Sequence, residues 1–379
     1  MTDKVLPIRN ELTQIPPYNS GLTLDEVRVR YHVQNISKLG SNENPLGPSP
    51  KVTETLKSPL DLFRLYPDPQ GRALSKAIAA KFGVSPEQIV LGNGSEDLIG
   101  VICRAVVRPD DLVTTLFPSF PLHEDYAVLM GGKVDRITIN DDLEIDVEAL
   151  TAAIVRSPRM VMFSNPMNPV GFWLRQDEMQ RVIDSVSEDT VLVVDEAYVE
   201  YASGDDYSSA LEALKATNKN WIVLRTFSKA YGLAGLRIGF AIAANKEIAD
   251  YLNRARTPFN TNAVAQHSAL IALADEEHLD QTVALAVSER ERIAIELKRR
   301  GYRVAPSRGN FVFFDTGTNA VEFSERLLEK GVITKPWKQK GFDTFIRVSI
   351  GTVAENNHFL AALAAEEEAS VGAAKRRSS

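Results

Sequence analysis

Thr226-Phe227-Ser228-Lys229, followed two residues on by Gly232-Leu233-Ala234-Gly235-Leu236-Arg237, is the stretch on which the reading of this chain turns. Upstream, the apolar run Val191-Leu192-Val193-Val194 ends in Asp195-Glu196-Ala197-Tyr198. Together the two segments supply an amine, two hydroxyls, a guanidinium, a carboxylate and a phenol. The Lys229 amine can form a Schiff base with an aldehyde. Ser228 or Thr226, with Arg237, can bind a phosphate. Asp195, at the carboxyl end of a buried strand, can pair with a pyridinium nitrogen and keep it protonated, which is what lets such a ring accept a carbanion's electrons. These are the groups needed to hold and use pyridoxal 5'-phosphate.

Each segment alone has a plainer reading. A lysine is ordinarily a solvated surface charge, but Lys229 sits among Phe227, Tyr231 and Leu233, directly after the strand-like Trp221-Ile222-Val223-Leu224. An aspartate after four apolar residues can simply cap a strand. Open α/β sheets, however, place their ligands at the carboxyl ends of strands. Two strand-then-turn segments carrying complementary chemistry are more specific than either one.

The chain has 379 residues, 44% hydrophobic and 25% charged, which suits a folded protein of two or three domains with a large core. Its formal net charge of −7 leaves no basic footprint for nucleic acid. The one cysteine, Cys103, lies in an apolar stretch and reads as core filling in a reducing cytoplasm. The N-terminus lacks the apolar core of a signal peptide, and no run approaches a membrane span. The five histidines are scattered, with no pair at helical metal-ligand spacing.

Strand-like runs at residues 88–91, 112–115, 134–137, 160–163, 191–194, 221–224 and 238–242 alternate with helical ones. That predicts an α/β fold: a mostly parallel central sheet with helices on both faces. Residues 1–45 read as an extended arm with one short helix, 24–31. Residues 46–260 form a large cofactor-binding domain and 261–379 a smaller α+β domain. Helical patterns are expected over 61–82 and 263–300, and a frayed end at the C-terminus.

Gly94-Ser95-Glu96-Asp97 follows a strand and opens a helix, which suits either a phosphate or a simple N-cap. Neither glycine cluster has dinucleotide-fingerprint spacing. Phe120 reads as core, Asn165-Pro166-Met167-Asn168-Pro169 as turn-forming, and Arg347 as an ion-pairing residue of an alternating strand.

With these motifs in this order, from Pro17-Tyr18 and Ser41-Asn42-Glu43-Asn44-Pro45 to Phe345-Ile346-Arg347, nearly the whole chain resembles the fold-type I pyridoxal-phosphate aminotransferases. Among them it is most similar to the histidinol-phosphate aminotransferase family. The resemblance implies that the Ser95-Glu96 turn holds the cofactor phosphate and that Phe120 stacks on the ring. It implies that Asn168 and Tyr198 hydrogen-bond the phenolic oxygen, with Asn168 also at the substrate. It makes Arg347 the substrate-anion arginine and places Tyr18 near the substrate's distal group. Tyr66 would reach the cofactor phosphate of a neighbouring subunit, making a homodimer. Three departures stand out: phenylalanine for tyrosine at 120, valine for threonine at 170, and the inverted acids Glu96-Asp97. The implied reaction is ping-pong transamination with Lys229 as catalytic base. It converts histidinol phosphate and 2-oxoglutarate to imidazole acetol phosphate and glutamate. An aromatic amino acid aminotransferase shares every one of these catalytic residues, and a phospho-amino-acid decarboxylase belongs to the same neighbourhood.

Overall fold

The computed structural model describes residues 8–18, 21–57, 63–202, 204 and 206–377, with side chains through residue 369. Its strands are β1 (Ser37–Lys38), β2 (Ile89–Gly92), β3 (Leu112–Phe117), β4 (Lys133–Thr138), β5 (Met160–Ser164), β6 (Val191–Asp195), β7 (Trp221–Thr226) and β8 (Gly239–Ala243). They continue with β9 (Arg303–Val304), β10 (Phe311–Asp315), β11 (Val332–Ile333), β12 (Lys335–Pro336) and β13 (Phe345–Ser349).

Seven strands form the large sheet, in the order β2-β8-β7-β6-β5-β3-β4. All run parallel except β8, which is antiparallel to both its neighbours. The apolar runs split by alternate residue between two cores. Val161, Phe163, Leu192, Val194 and Val223 face one layer of helices, while Met160, Met162, Val193, Ile222 and Leu224 face the other. A sheet covered on both sides explains why these strands read as continuous hydrophobic runs. Each such side chain, fully buried, contributes roughly 1.5–3 kcal/mol. Cys103 is one of the buried residues, as expected of core filling.

The reversed strand shapes the site. Gly92, Gly239 and Thr226 lie in register across β2, β8 and β7. A Cβ on Gly239 would come within 2.6 Å of the Ser95 nitrogen, so only glycine lets the turn after β2 pack this closely against the end of β7.

The second sheet, β12-β13-β10-β9, is antiparallel and packs against the helices Glu276–Arg299 and Val353–Arg377 through Ile293, Leu297, Phe314 and Phe359. The arm joins this unit, because β1 pairs in parallel with β11. Its helix spans Leu24–Tyr31, and a 3-10 turn, Asn10–Gln14, precedes it.

Several expected boundaries move. The helix expected over 61–82 starts only at Arg72; residues 61–62 lie outside the described residues. Pro67 and Pro69 each lack a backbone N–H, Gly71 is left-handed, and Asp68 accepts from the nitrogens of Gln70 and Arg72 to form a turn instead. The long helix expected over 263–300 is two helices, Ala263–Ala274 and Glu276–Arg299. It breaks at Asp275, whose buried carboxylate is taken by Ser49 and Lys51. The C-terminus is helical to Arg377 rather than frayed; Ser378 and Ser379 lie outside the described residues.

Candidate active site

A cavity of about 180 Å³ opens where the carboxyl ends of β5, β6 and β7 meet the turn after β2. Ser95, Glu96, Phe120, Asn168, Asp195, Tyr198, Thr226, Ser228, Lys229, Arg237 and Tyr18 all line it. Residues separated by more than two hundred positions thus converge, because parallel strands deliver their carboxyl ends to one edge.

Lys229 is enclosed. Its Nζ donates to the Ser41 carbonyl at 3.0 Å and sits 5.7 Å from the centre of the Tyr198 ring. Burial, helped by the Arg347 and Arg237 charges, pulls the amine down to about 7; Glu43 and Asp195 act in the opposite sense. An amine neutral near pH 7 is both a nucleophile and a base.

Asp195 is 5% exposed. Its Oδ1 accepts from the Ala197 nitrogen at 3.1 Å, and its Oδ2 lies 3.2 Å from His123 Nε2. Only an imidazole with its proton on Nε2 can donate to the carboxylate, so that tautomer is fixed. His123 was not singled out from the sequence, where Phe120-Pro121-Leu122-His123 gives no sign of a partner 72 residues away. Phe120 meets the His123 ring edge-on at 5.6 Å.

Tyr198 shows how the site orients a donor. Arg347 Nη1 donates to Asn168 Oδ1 at 2.7 Å, which turns the Asn168 amide nitrogen toward the Tyr198 hydroxyl at 3.2 Å. Likewise Ser349 Oγ donates to Asn42 Oδ1, turning Asn42 Nδ2 onto the same hydroxyl at 3.0 Å. With both lone pairs engaged, the phenol has its own proton free to donate. Burial raises its pKa and keeps that proton in place. In the sequence Asn42 is only one member of Ser41-Asn42-Glu43-Asn44-Pro45; in the structure its backbone is left-handed, φ 55°.

The cationic end is built by Arg237. Its Nη1 reaches Ala234 O at 3.1 Å and Ser228 Oγ at 3.4 Å, and its Nη2 lies 3.8 Å from Glu96 Oε2. The helix Ser95–Val106 points its N-terminal amides at this corner. Thr226 Oγ1 accepts from the Ser228 nitrogen at 3.0 Å, setting both hydroxyl-bearing residues beside it. The acid inversion is explained. Asp97 caps the turn by accepting from the Asn93 nitrogen and Asn260 Nδ2, while Glu96 faces the cavity.

Two expected residues stand apart. Arg347, 7% exposed, does not line the cavity; it sits behind Asn168 with Nη2 on the Gly40 carbonyl and its Nε without a partner among the described residues. Lys335 is in register with it across β12 and β13, and burial beside Arg347 and Lys338 lowers that amine to about 8. Tyr66 is 83% exposed, stacked on Phe259 at 4.8 Å, and does not enter its own chain's cavity. Among the described residues no group of three His, Cys, Asp or Glu side chains could hold a metal ion.

The donor set fits pyridoxal phosphate. An N-terminal helix turn, two hydroxyls and an arginine form a phosphomonoester cup, and the buried amine, carboxylate and phenol surround the space beyond it. This arrangement, on a mostly parallel sheet with one reversed strand, belongs to a known class. The model of the class I and II aminotransferases matches residues 34–363, and the chain belongs to that family. Over 94% of its length it is 61% identical to histidinol-phosphate aminotransferase 3 of Rhizobium meliloti (strain 1021), covering 96% of that protein. It is 60% identical to histidinol-phosphate aminotransferase 1 of Mesorhizobium japonicum, again over 94% of this chain and 97% of the relative. The fold superimposes on the crystal structure of histidinol-phosphate aminotransferase from Sinorhizobium meliloti in complex with pyridoxal-5'-phosphate, with a TM-score of 0.86. That match has 29% identity and covers 96% of this chain and 98% of the other.

Proposed function

We propose that this chain is a pyridoxal-phosphate-dependent aminotransferase that takes its amino group from histidinol phosphate, a step of histidine biosynthesis. The carrying observation is that the half-buried Lys229 amine and the Asp195 carboxylate line one cavity with the phosphate cup of Ser95, Thr226, Ser228 and Arg237. The bound cofactor supplies an aldehyde that captures the donor's amine and a ring that takes up the electron pair left at the α-carbon.

The chain's residues do the rest. Lys229, partly neutral at physiological pH, removes the α-proton and would deliver it to the cofactor carbon that bore the aldehyde, on the far side of the imine nitrogen. Asp195, steadied by His123 and the Ala197 amide, holds a proton on the ring nitrogen. Tyr198 gives its free proton as a hydrogen bond to the phenolic oxygen, with Asn168 beside it. Arg237, Ser228, Thr226 and the Ser95-Glu96 turn take the cofactor phosphate, and Phe120 covers the ring face. Arg347 meets the substrate anion by exchanging its hold on Asn168 or Gly40. A forked guanidinium can serve a phosphate and a carboxylate in turn, which suits 2-oxoglutarate as the acceptor. Tyr18 closes the distal end.

We further divide the chain into an arm (1–45), a large domain (46–260) and a small one (261–379), working as a cytoplasmic homodimer. Phe63, Leu65 and Tyr66 are 83%, 58% and 83% exposed, an apolar surface suited to a second copy. The test is the absorbance of the purified holoprotein mixed with histidinol phosphate, phenylalanine or tyrosine. Rapid conversion of the bound cofactor to its amine form by histidinol phosphate is expected. A preference for an aromatic amino acid of more than about tenfold in kcat/KM, about 1.4 kcal/mol, overturns the substrate.

A further inference from the structure

Glu96 places a carboxylate in the wall of the phosphate cup, where an anion is to be received. Its Oε2 lies 3.8 Å from Arg237 Nη2, the side chains being 45% and 41% exposed. The guanidinium is held through Nη1, which donates to Ala234 O at 3.1 Å and Ser228 Oγ at 3.4 Å, and its Nη2 packs so closely on Gly94 that a Cβ there would come within 2.5 Å. Glu96 is not needed to close the helix turn, because Asp97 already does so through Asn93 and Asn260. Its charge is felt across the cavity mouth, where it helps raise the Tyr18 phenol, after the larger effect of desolvation.

We propose that Glu96 is a positioning residue that acts through Arg237. It serves as the guanidinium's counter-ion before a phosphomonoester arrives and opposes retention of that phosphate afterwards. The inference rests on the pyridoxal-phosphate reading above. A phosphate bound to Arg237 brings like charge within a few ångströms of a half-exposed carboxylate, and at this separation ordinary salt screens the repulsion only in part. Cofactor affinity is therefore held below what the cup alone provides.

The test uses full-length protein freed of cofactor, titrated with pyridoxal phosphate by tryptophan fluorescence and with inorganic phosphate by thermal shift, at low and high salt. Glu96→Gln is expected to bind pyridoxal phosphate roughly threefold to tenfold more tightly at low salt, with the gap narrowing at high salt. Inorganic phosphate should follow the same order. Glu96→Asp, which keeps the charge, should stay near the parent. Equal or weaker binding by Glu96→Gln overturns the role. A merely structural residue gives weaker binding and a lower melting point, the opposite direction. If the parent itself fails to bind pyridoxal phosphate, the cofactor reading falls and this inference with it. If the parent binds and the variant gains nothing, only the role of Glu96 falls.

Discussion

The Nε2 of His123 lies 3.2 Å from the Oδ2 of Asp195, in a part of the site closed to solvent. The imidazole comes from the helix Leu122–Leu129 after β3 and the carboxylate from the end of β6. The carboxylate proposed to hold a proton on the cofactor ring is thus itself oriented from behind.

Replacing His123 with Leu removes that donor and keeps an apolar filler of similar size. A hydrogen bond to a charged group is worth about 1.5–3 kcal/mol, so turnover should fall roughly tenfold or more with cofactor saturating. The pH titration of the bound cofactor's absorption should also shift. Unchanged turnover and an unchanged titration would show that Asp195 needs no second support.

Lys229 should be the residue that carries the cofactor. Lys229→Ala is expected to lose the borohydride-reducible adduct and nearly all transamination; a label recovered on another lysine after digestion would falsify this. Cofactor capture by the stripped protein should accelerate as pH rises through about 7, where the amine loses its proton. A profile still climbing toward 10 contradicts the buried, lowered amine.

The same amine has a stability consequence. Its ordinary value is 10.5 and its folded value about 7, so between these the unfolded chain binds the proton and the folded chain does not. Stability of the cofactor-free protein therefore rises with pH across that window. Lys229→Met should be the more stable chain near pH 7 and below, with its advantage shrinking toward pH 10. Urea midpoints measured at several pH values check this, and a constant difference defeats it.

Arg347 should matter to both half-reactions. Arg347→Ala is expected to cost about 1.5–3 kcal/mol in kcat/KM for histidinol phosphate and for the dicarboxylate acceptor alike. Arg347→Lys should recover only part, because an ammonium cannot form the fork. Loss confined to one substrate would assign the other anion elsewhere, with Lys335 across the strand pair as the first candidate.

The shared site is tested by mixing. Lys229→Ala and Tyr66→Ala chains, each defective alone, should regain about a quarter of the parent activity after subunit exchange. If Tyr66 serves the partner's site, each hybrid has one intact site. No recovery means that Tyr66 acts within its own chain or not at all.

The strands were legible because their cores are continuous apolar runs, and the site residues at their ends because each lies in a short local pattern. Asp195 and Lys229 stand out from their own short segments, whereas Phe120 and Asn168, which read alone as core and turn, came forward only through the family resemblance. The helix expected over 61–82 failed because an apolar pattern outweighed Pro67, Pro69 and Gly71. The expected helix over 263–300 hid its break because Asp275 is held by Ser49 and Lys51, more than two hundred residues away. His123 and Asn42 escaped for the same reason. A buried partner defines each of them, and neither partner is near in sequence.

Asn42 is pinned by Ser349 across 307 residues, and it in turn aims the Tyr198 hydroxyl. During synthesis the ribosome releases Asn42 first of the three, Tyr198 next and Ser349 last. The large sheet can pack while the chain is still growing, but its phenol lacks this heading until Ser349 has been added. A nascent or truncated chain that has folded its first sheet is therefore expected to lack activity until the C-terminal strands join it.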